Sequence, residues 1–293
     1  MTNNRLAKAI LFMVASAFCS AMMSTCTKLV PGVPAMEKTF FTALVCMIAA
    51  WVVQLNRHHE PPHFLKKDLK DLTLRAVYGI ISMWLTFWCA SAMDIGDATA
   101  LFNLGPSFTM LYAHFAMGER FDRRQALLVG LAFIGGLFVV KPSFSNVNLV
   151  PALAAVLCGA IGGVAHAYVR KLGAYNKVEG NAVILYNYTF SAAVELLLCL
   201  KIFVIPDGRQ LLFMLAAGGF CFLTQDCMTI AFTLASASEV SVYKYSQIII
   251  SSVIGMVLFA EFPDALSEAG YVIINGASVI MWKYNASLKA EKI

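Results

Sequence analysis

Charge is scarce in this chain: Asp, Glu, Lys and Arg make up 13% of its 293 residues, against 59% apolar residues. A soluble domain of that length needs a polar surface that so few charged groups cannot supply. No Gly-x-x-x-x-Gly-Lys run occurs, which argues against ATP hydrolysis by this chain. Paired intramembrane aspartates, a helical His-Glu-x-x-His and a serine with a histidine partner are missing at useful spacing, so an intramembrane enzyme is disfavoured. The eight cysteines (Cys19, Cys26, Cys46, Cys89, Cys158, Cys199, Cys221 and Cys227) lie in apolar stretches without metal-ligand spacing. They read as small packing residues, and neither a metal nor a cofactor is expected. Period-two alternation in ten-residue segments is absent too, which excludes a transmembrane β-barrel. The tails are short, against a receptor or assembly protein with a signalling module. The net charge of +5 gives no hint of nucleic-acid binding.

What the chain has instead is apolar runs of about 14 to 21 residues from end to end, the length that crosses the hydrocarbon core of a bilayer as a helix. The mean hydropathy is +0.72. Ten spans are predicted: Leu6–Val30, Met36–Leu55, Ala76–Met93, Ala98–Gly118, Arg124–Val140, Leu149–Val169, Asn181–Leu200, Leu211–Leu234, Glu239–Ala260 and Leu266–Tyr284. The fold class expected is therefore an all-α integral membrane protein, with the lipid bilayer as its main surroundings. The run Ala9 to Thr27 is too long for a signal peptide and has no small-x-small cleavage site, so it counts as the first span. The one long connection, about Asn56 to Arg75, is polar and holds Pro61 and Pro62, with an amphipathic turn expected around Phe64 to Leu72. With both termini in the cytoplasm, the inner segments hold 16 Lys and Arg and the outer ones 5, with Lys244 left inside the membrane. That asymmetry follows the positive-inside rule and supports the count of ten.

Shifting the chain by 142 positions aligns Lys28 with Arg170, Glu37 with Glu179, Asp97 with Glu239 and Glu119 with Glu261. Such coincidences at one offset point to an internal duplication. The halves are 1–141 and 149–285, followed by a short cytoplasmic tail, 286–293. Five helices is an odd number, so the second half enters the membrane from the opposite side, as in the inverted repeats of secondary transporters.

From Arg75 to Val140 the chain contains Arg75, Gly79, Ser82, Met83, then Gly96-Asp97-Ala98-Thr99-Ala100, Gly105-Pro106-Ser107-Phe108 and Gly118-Glu119-Arg120-Phe121. These resemble the EamA-type repeat of the drug/metabolite transporter superfamily. The second half is similar in Tyr245-Ser246-Gln247 and Phe259-Ala260-Glu261-Phe262-Pro263. The resemblance implies a ten-helix secondary transporter in a bacterial inner membrane, its central cavity lined by helices 1 to 4 and 6 to 9. The chain departs from the pattern at Thr42, where many relatives have an arginine, and adds Asp226 and Lys244.

Ionisable groups inside hydrocarbon are costly unless they face water or a partner, which singles out Glu195, Asp226 and Lys244. Asp226 and Lys244 each lie about nine residues from the Ala235 turn, so an ion pair between them is expected in the inner half of the membrane. It either neutralises itself structurally or touches substrate. Helix 9 carries Ser241, Lys244, Gln247 and Ser251 on one face, and helix 8 carries Asp226, Thr229 and Thr233. Gln225 and Tyr245 adjoin these stripes. Ser16, Ser20 and Ser24 form a stripe on helix 1 that reads as close packing. In helix 4, Pro106 cannot donate to the Phe102 carbonyl and Gly105 loosens the same turn, predicting a kink. Asn103 lies one turn away, near the level of Trp88, and Trp84 and Trp88 share one face of helix 3. His114, His166, Tyr186 and Asn187 rank lower. A small-molecule substrate is expected; coupling to protons through Asp226 or Glu195, or plain exchange, both stay open, as do monomer and homodimer.

Overall fold

The computed structural model describes residues 2–58, 64–117, 122–140, 149–172, 176, 178–200, 203–234 and 241–290, and these are almost entirely helical. In chain order the helices are α1 (Thr2–Lys28), α2 (Ala35–His58), α3 (Leu69–Ala92), α4 (Ile95–Phe102), α5 (Gly105–Met117) and α6 (Arg123–Val140). They continue with α7 (Leu149–Arg170), α8 (Gly180–Cys199), α9 (Gly208–Leu234), a 3-10 turn (Ser241–Tyr245), α10 (Ser246–Phe259) and α11 (Ala265–Ala290). Seven of them (α1, α2, α3 and α6 to α9) are long and apolar enough to cross a membrane.

The distribution of polarity is that of a protein dissolved in lipid. Leu11, Phe115, Leu127, Leu197 and Val257 are exposed on helix surfaces, whereas Ser16, Thr25, Thr27, Glu37, Lys38, Thr42 and Glu195 are buried. Side chains that cost free energy in hydrocarbon are turned inward, where neighbouring helices supply partners. Thr42, for example, donates to the carbonyl of Lys38 at 2.9 Å.

Proline and glycine set several boundaries. Between α1 and α2 the chain turns through Gly32, whose φ of 77° disfavours a side chain. Pro34 opens α2, its carbonyl accepting the amides of Glu37 and Lys38 at 3.0 and 3.2 Å. The fourth predicted span is two helices: α4 stops at Phe102 and α5 starts at Gly105. Pro106 sits at the second position of α5, where its missing N–H leaves no intrahelical bond unmade. The ninth span departs from a continuous helix as well. Residues 235–240 lie outside the described residues, and α10 is preceded by the 3-10 turn. Nor does the polar connection last until Arg75, since α3 begins at Leu69 and carries Arg75 into the bundle.

The principal contacts pair α1 with α9, α3 with α7, α2 with α8 and α6 with α11. Ser16 meets Thr224 and Gln210 meets Pro31, so α1 and α9 run antiparallel. Glycines let backbones approach at two of the other contacts. A Cβ on Gly163 of α7 would stand 2.7 Å from the Gly105 carbonyl, and one on Gly135 of α6 would stand 3.0 Å from the Gly270 carbonyl of α11. The partner of the Gly159 and Gly163 face is therefore the break between α4 and α5. Two helix boundaries recur at a separation of 142 residues: the ends of α1 and α7, and the starts of α6 and α11.

Candidate functional site

Two sets of contacts converge at the centre of the bundle. The first joins α3 to α8, which run parallel. Thr73 and Tyr186 share a hydrogen bond of 2.8 Å, Arg75 Nη1 donates to Asn187 Oδ1 at 2.6 Å, and Trp84 Nε1 donates to Glu195 Oε1 at 3.1 Å. The guanidinium fits because Gly79, one turn along α3, leaves it room; a Cβ there would lie 2.5 Å from Arg75 Nη1. Arg75 Nε is one of seven buried side-chain atoms among the described residues that lack a hydrogen-bond partner.

The second set joins the 3-10 turn to α1 and α9. Lys244 Nζ donates to Ser16 Oγ at 3.1 Å and to the Ser16 carbonyl at 3.3 Å, while the Ser16 hydroxyl donates to the Thr224 carbonyl at 2.8 Å. Ser16 lies near the middle of the 27-residue α1, so Lys244 sits at mid-depth. The expected ion pair is not made: Lys244 turns to Ser16 rather than to Asp226. The reason is local geometry. The pairing assumed a continuous α-helix through Lys244, but a 3-10 turn advances about 120° per residue rather than about 100°, which changes the face on which the lysine emerges. Asp226 stays on α9, partly buried beside Cys227. Ser16, read from the sequence as packing, is a polar anchor.

The two sets share neighbours. Cys221 of α9 bonds Tyr188 OH at 3.3 Å and lies within electrostatic reach of both Arg75 and Lys244. His166 of α7 is accessible and within electrostatic reach of the same two cations. Arg75 of α3 and Lys244 of the 3-10 turn thus share His166 of α7 and Cys221 of α9 as neighbours.

Other sequence candidates fall elsewhere. Trp88 is 41% exposed. Asn103 spends its amide on the Thr99 carbonyl at 2.8 Å, inside its own break, and Pro106 is exposed. Tyr245 packs into the core formed by α4, α6, α7, α10 and α11. Gln247 and Ser251 are buried on α10, and Gln225 is partly buried on α9. The side chains of Thr229, Thr233 and Ser241 lie outside the described residues. All eight cysteines are free thiols, and among the described residues no three His, Cys, Asp or Glu side chains come together as a metal site.

Sequence reasoning missed Arg75 as a site residue because it was counted with the connecting loop. It also passed over Glu37 and Lys38, which are buried at the start of α2. Glu37 Oε2 accepts the Val204 amide at 3.0 Å, and Lys38 Nζ donates to the Thr27 carbonyl at 3.0 Å and to Ser91 Oγ at 3.3 Å.

Residues 7–141 match the EamA-like transporter family. The pseudopaline exporter of Pseudomonas aeruginosa strain UCBPP-PA14 is 26% identical over 283 residues, which cover 96% of this chain and 98% of the exporter. An S-adenosylmethionine uptake transporter of Rickettsia felis is 25% identical over 179 residues, 60% of this chain and 59% of its own. A riboflavin transporter of Brucella anthropi is 23% identical, over 87% of this chain and 90% of its own. A solved crystal structure with 17% identity superposes with a TM-score of 0.63, covering 94% of this chain and 97% of that one, so the fold has an experimental counterpart. The family match and the transporter-named relatives point to a transporter rather than an enzyme. The apolar exterior and the polar interior make the chain an integral membrane protein, and its residues 7–141 are similar to the EamA-like transporter family.

Proposed function

We propose that the protein is a secondary transporter that moves a small organic metabolite by alternating access, its chain crossing the membrane ten times as two inverted five-helix halves. In this reading α4 and α5 are one broken span, and the 3-10 turn with α10 is another. The observation that carries the reading is the matching break. The interruption at Asn103–Leu104 and the junction at Tyr245–Ser246 lie 142 residues apart, the separation at which two other helix boundaries recur. Broken helices near the middle of a membrane expose backbone groups that only a wet cavity or protein can satisfy, and in inverted-repeat transporters they flank the substrate. The crossed packing of α1 on α9 and α3 on α7 is what such halves would make, each half lending helices to the other.

Loop charges support a topology with both termini on the cytoplasmic side of a bacterial plasma membrane. The relatives are named for pseudopaline export, S-adenosylmethionine uptake and riboflavin transport. They share a small organic solute but neither its identity nor its direction. Coupling, by protons or by exchange, belongs to the same reading. The test is uptake into proteoliposomes across a metabolite panel, with and without a proton gradient. Saturable movement of one solute class supports the reading, and no movement of any solute in liposomes holding folded protein overturns it.

A further inference from the structure

We propose that the centre of the bundle is a seat for the carboxylate of an anionic organic solute, held between Arg75 and Lys244 with His166 beside them; this rests on the transport reading above. Arg75 and Lys244 come from different elements, and among the described residues every hydrogen bond of either cation goes to a neutral acceptor: the Asn187 amide oxygen, the Ser16 hydroxyl and the Ser16 carbonyl. The ionisable groups among the described residues that face Arg75 are Tyr188, Cys221 and His166, and those that face Lys244 are Cys19, Cys221, Cys227 and His166. No carboxylate is among them, and the ion pairs between described residues, Lys28 with Glu261 and Lys171 with Asp71, lie elsewhere.

Two cations in a low-dielectric interior with no counter-charge among the described residues are unfavourable, and proteins relieve such an arrangement by pairing it. Here the missing charge is supplied by the cargo. Arg75 Nε, buried and unpartnered, is a donor in reserve on the same planar fork that already uses Nη1. A guanidinium with donors to spare matches the two oxygens of a carboxylate, and an ammonium adds a point charge from the other side. Lys244 stands on the broken span, so binding the anion links α3 of one half to the interruption in the other. That linkage is what an alternating-access cycle needs from its substrate.

The test uses the purified full-length protein. Its melting temperature is followed with glutamate, succinate and citrate at fixed ionic strength, against chloride alone, succinamide and spermidine. A ligand that binds only the folded state raises that temperature with concentration. Saturable shifts from at least one carboxylate, with none from succinamide or spermidine, are expected. Arg75→Gln and Lys244→Met should each weaken the apparent affinity about tenfold or more, while Lys283→Gln on exposed α11 leaves it unchanged. Gly79→Ala is the variant that keeps the charge. Its Cβ would meet the movable end of Arg75 rather than backbone, so the fold survives, the guanidinium shifts, and affinity falls as well.

Shifts from spermidine or succinamide in place of the carboxylates would overturn the seat, as would carboxylate shifts equal in all variants. The transport reading fails separately. Carboxylate binding that responds to these variants, without movement of any solute in proteoliposomes, would leave the seat and remove the transporter. Transport of a neutral or cationic solute that is indifferent to Arg75→Gln would do the reverse.

Discussion

Lys28, the last residue of α1, is ion-paired with Glu261, which lies just beyond α10. The lysine also donates to the Met93 carbonyl at 2.7 Å, and the second oxygen of Glu261 accepts the Ile95 amide at 3.0 Å. Four segments are tied at one point, and both side chains are about seven-eighths buried, with 14% and 13% exposed. Removing one partner leaves the other charge buried. Glu261→Gln and Lys28→Met should each cost about 2–4 kcal/mol, and the double variant should lose less than the two together. Thermal unfolding in detergent or lipid measures this; single variants that melt within a degree of the parent would refute the clamp.

Ala260, beside that pair, holds φ at 54° and closes α10 in the left-handed conformation, where the amide of Glu261 returns to the Gly255 carbonyl at 3.1 Å. Glycine takes this position in most helix ends of the kind because it has no Cβ to clash. Ala260→Gly should raise stability by about 0.5–1 kcal/mol, visible as a higher melting temperature. A lower one would mean that the alanine methyl makes a contact worth more than the backbone strain.

The glycines of α7 give a prediction of the opposite sign. A methyl on Gly163 would lie 2.7 Å from the Gly105 carbonyl and 2.8 Å from Phe108 Cβ, against backbone that cannot yield cheaply. Gly163→Ala should cost about 1–3 kcal/mol by overpacking and impair transport by prising α7 from the broken span. Gly130 in α6 has nothing within 4 Å of the position its Cβ would take. Gly130→Ala should be neutral or stabilise by about 0.5–1 kcal/mol through helix propensity alone. Equal effects at the two sites would refute the claim that close approach is what Gly163 is for.

How much of this was legible in the sequence differs residue by residue. Hydropathy placed the helices because lipid demands long apolar segments, and Pro106 with Gly105 announced the break in the fourth span before any coordinates did. Glu195 and Lys244 stood out as charges inside apolar runs. Arg75 did not, because the apolar run was drawn from Ala76 while the helix starts at Leu69. A hydropathy window cannot distinguish a basic residue at a helix mouth from one that reaches inward. Gly79, placed to admit a guanidinium, was the available signal. The partner of Lys244 was not legible either, since it depends on a 3-10 turn that no composition rule announces and on a serine whose stripe suits packing equally well. The contact between Ser16 and Lys244 spans 228 sequence positions.

The contact between Trp84 and Glu195 separates coupling from architecture. Glu195 is 1% exposed, deep between α3 and α8, and its Oε1 accepts the indole N–H at 3.1 Å. Glu195→Gln preserves an acceptor for that indole and similar volume, so the melting temperature should stay within a few degrees of the parent. Glu195→Leu strands the indole donor and should cost about 1–3 kcal/mol. If the carboxyl carries a proton through the transport cycle, the glutamine variant moves solute at a rate that no longer responds to an imposed pH gradient, while exchange of solute for solute continues. Proteoliposomes loaded at one pH and diluted into another measure both quantities on the same preparation. A gradient response unchanged in Glu195→Gln assigns the residue to architecture alone, and the proton route must then run through Asp226 on α9 or be absent.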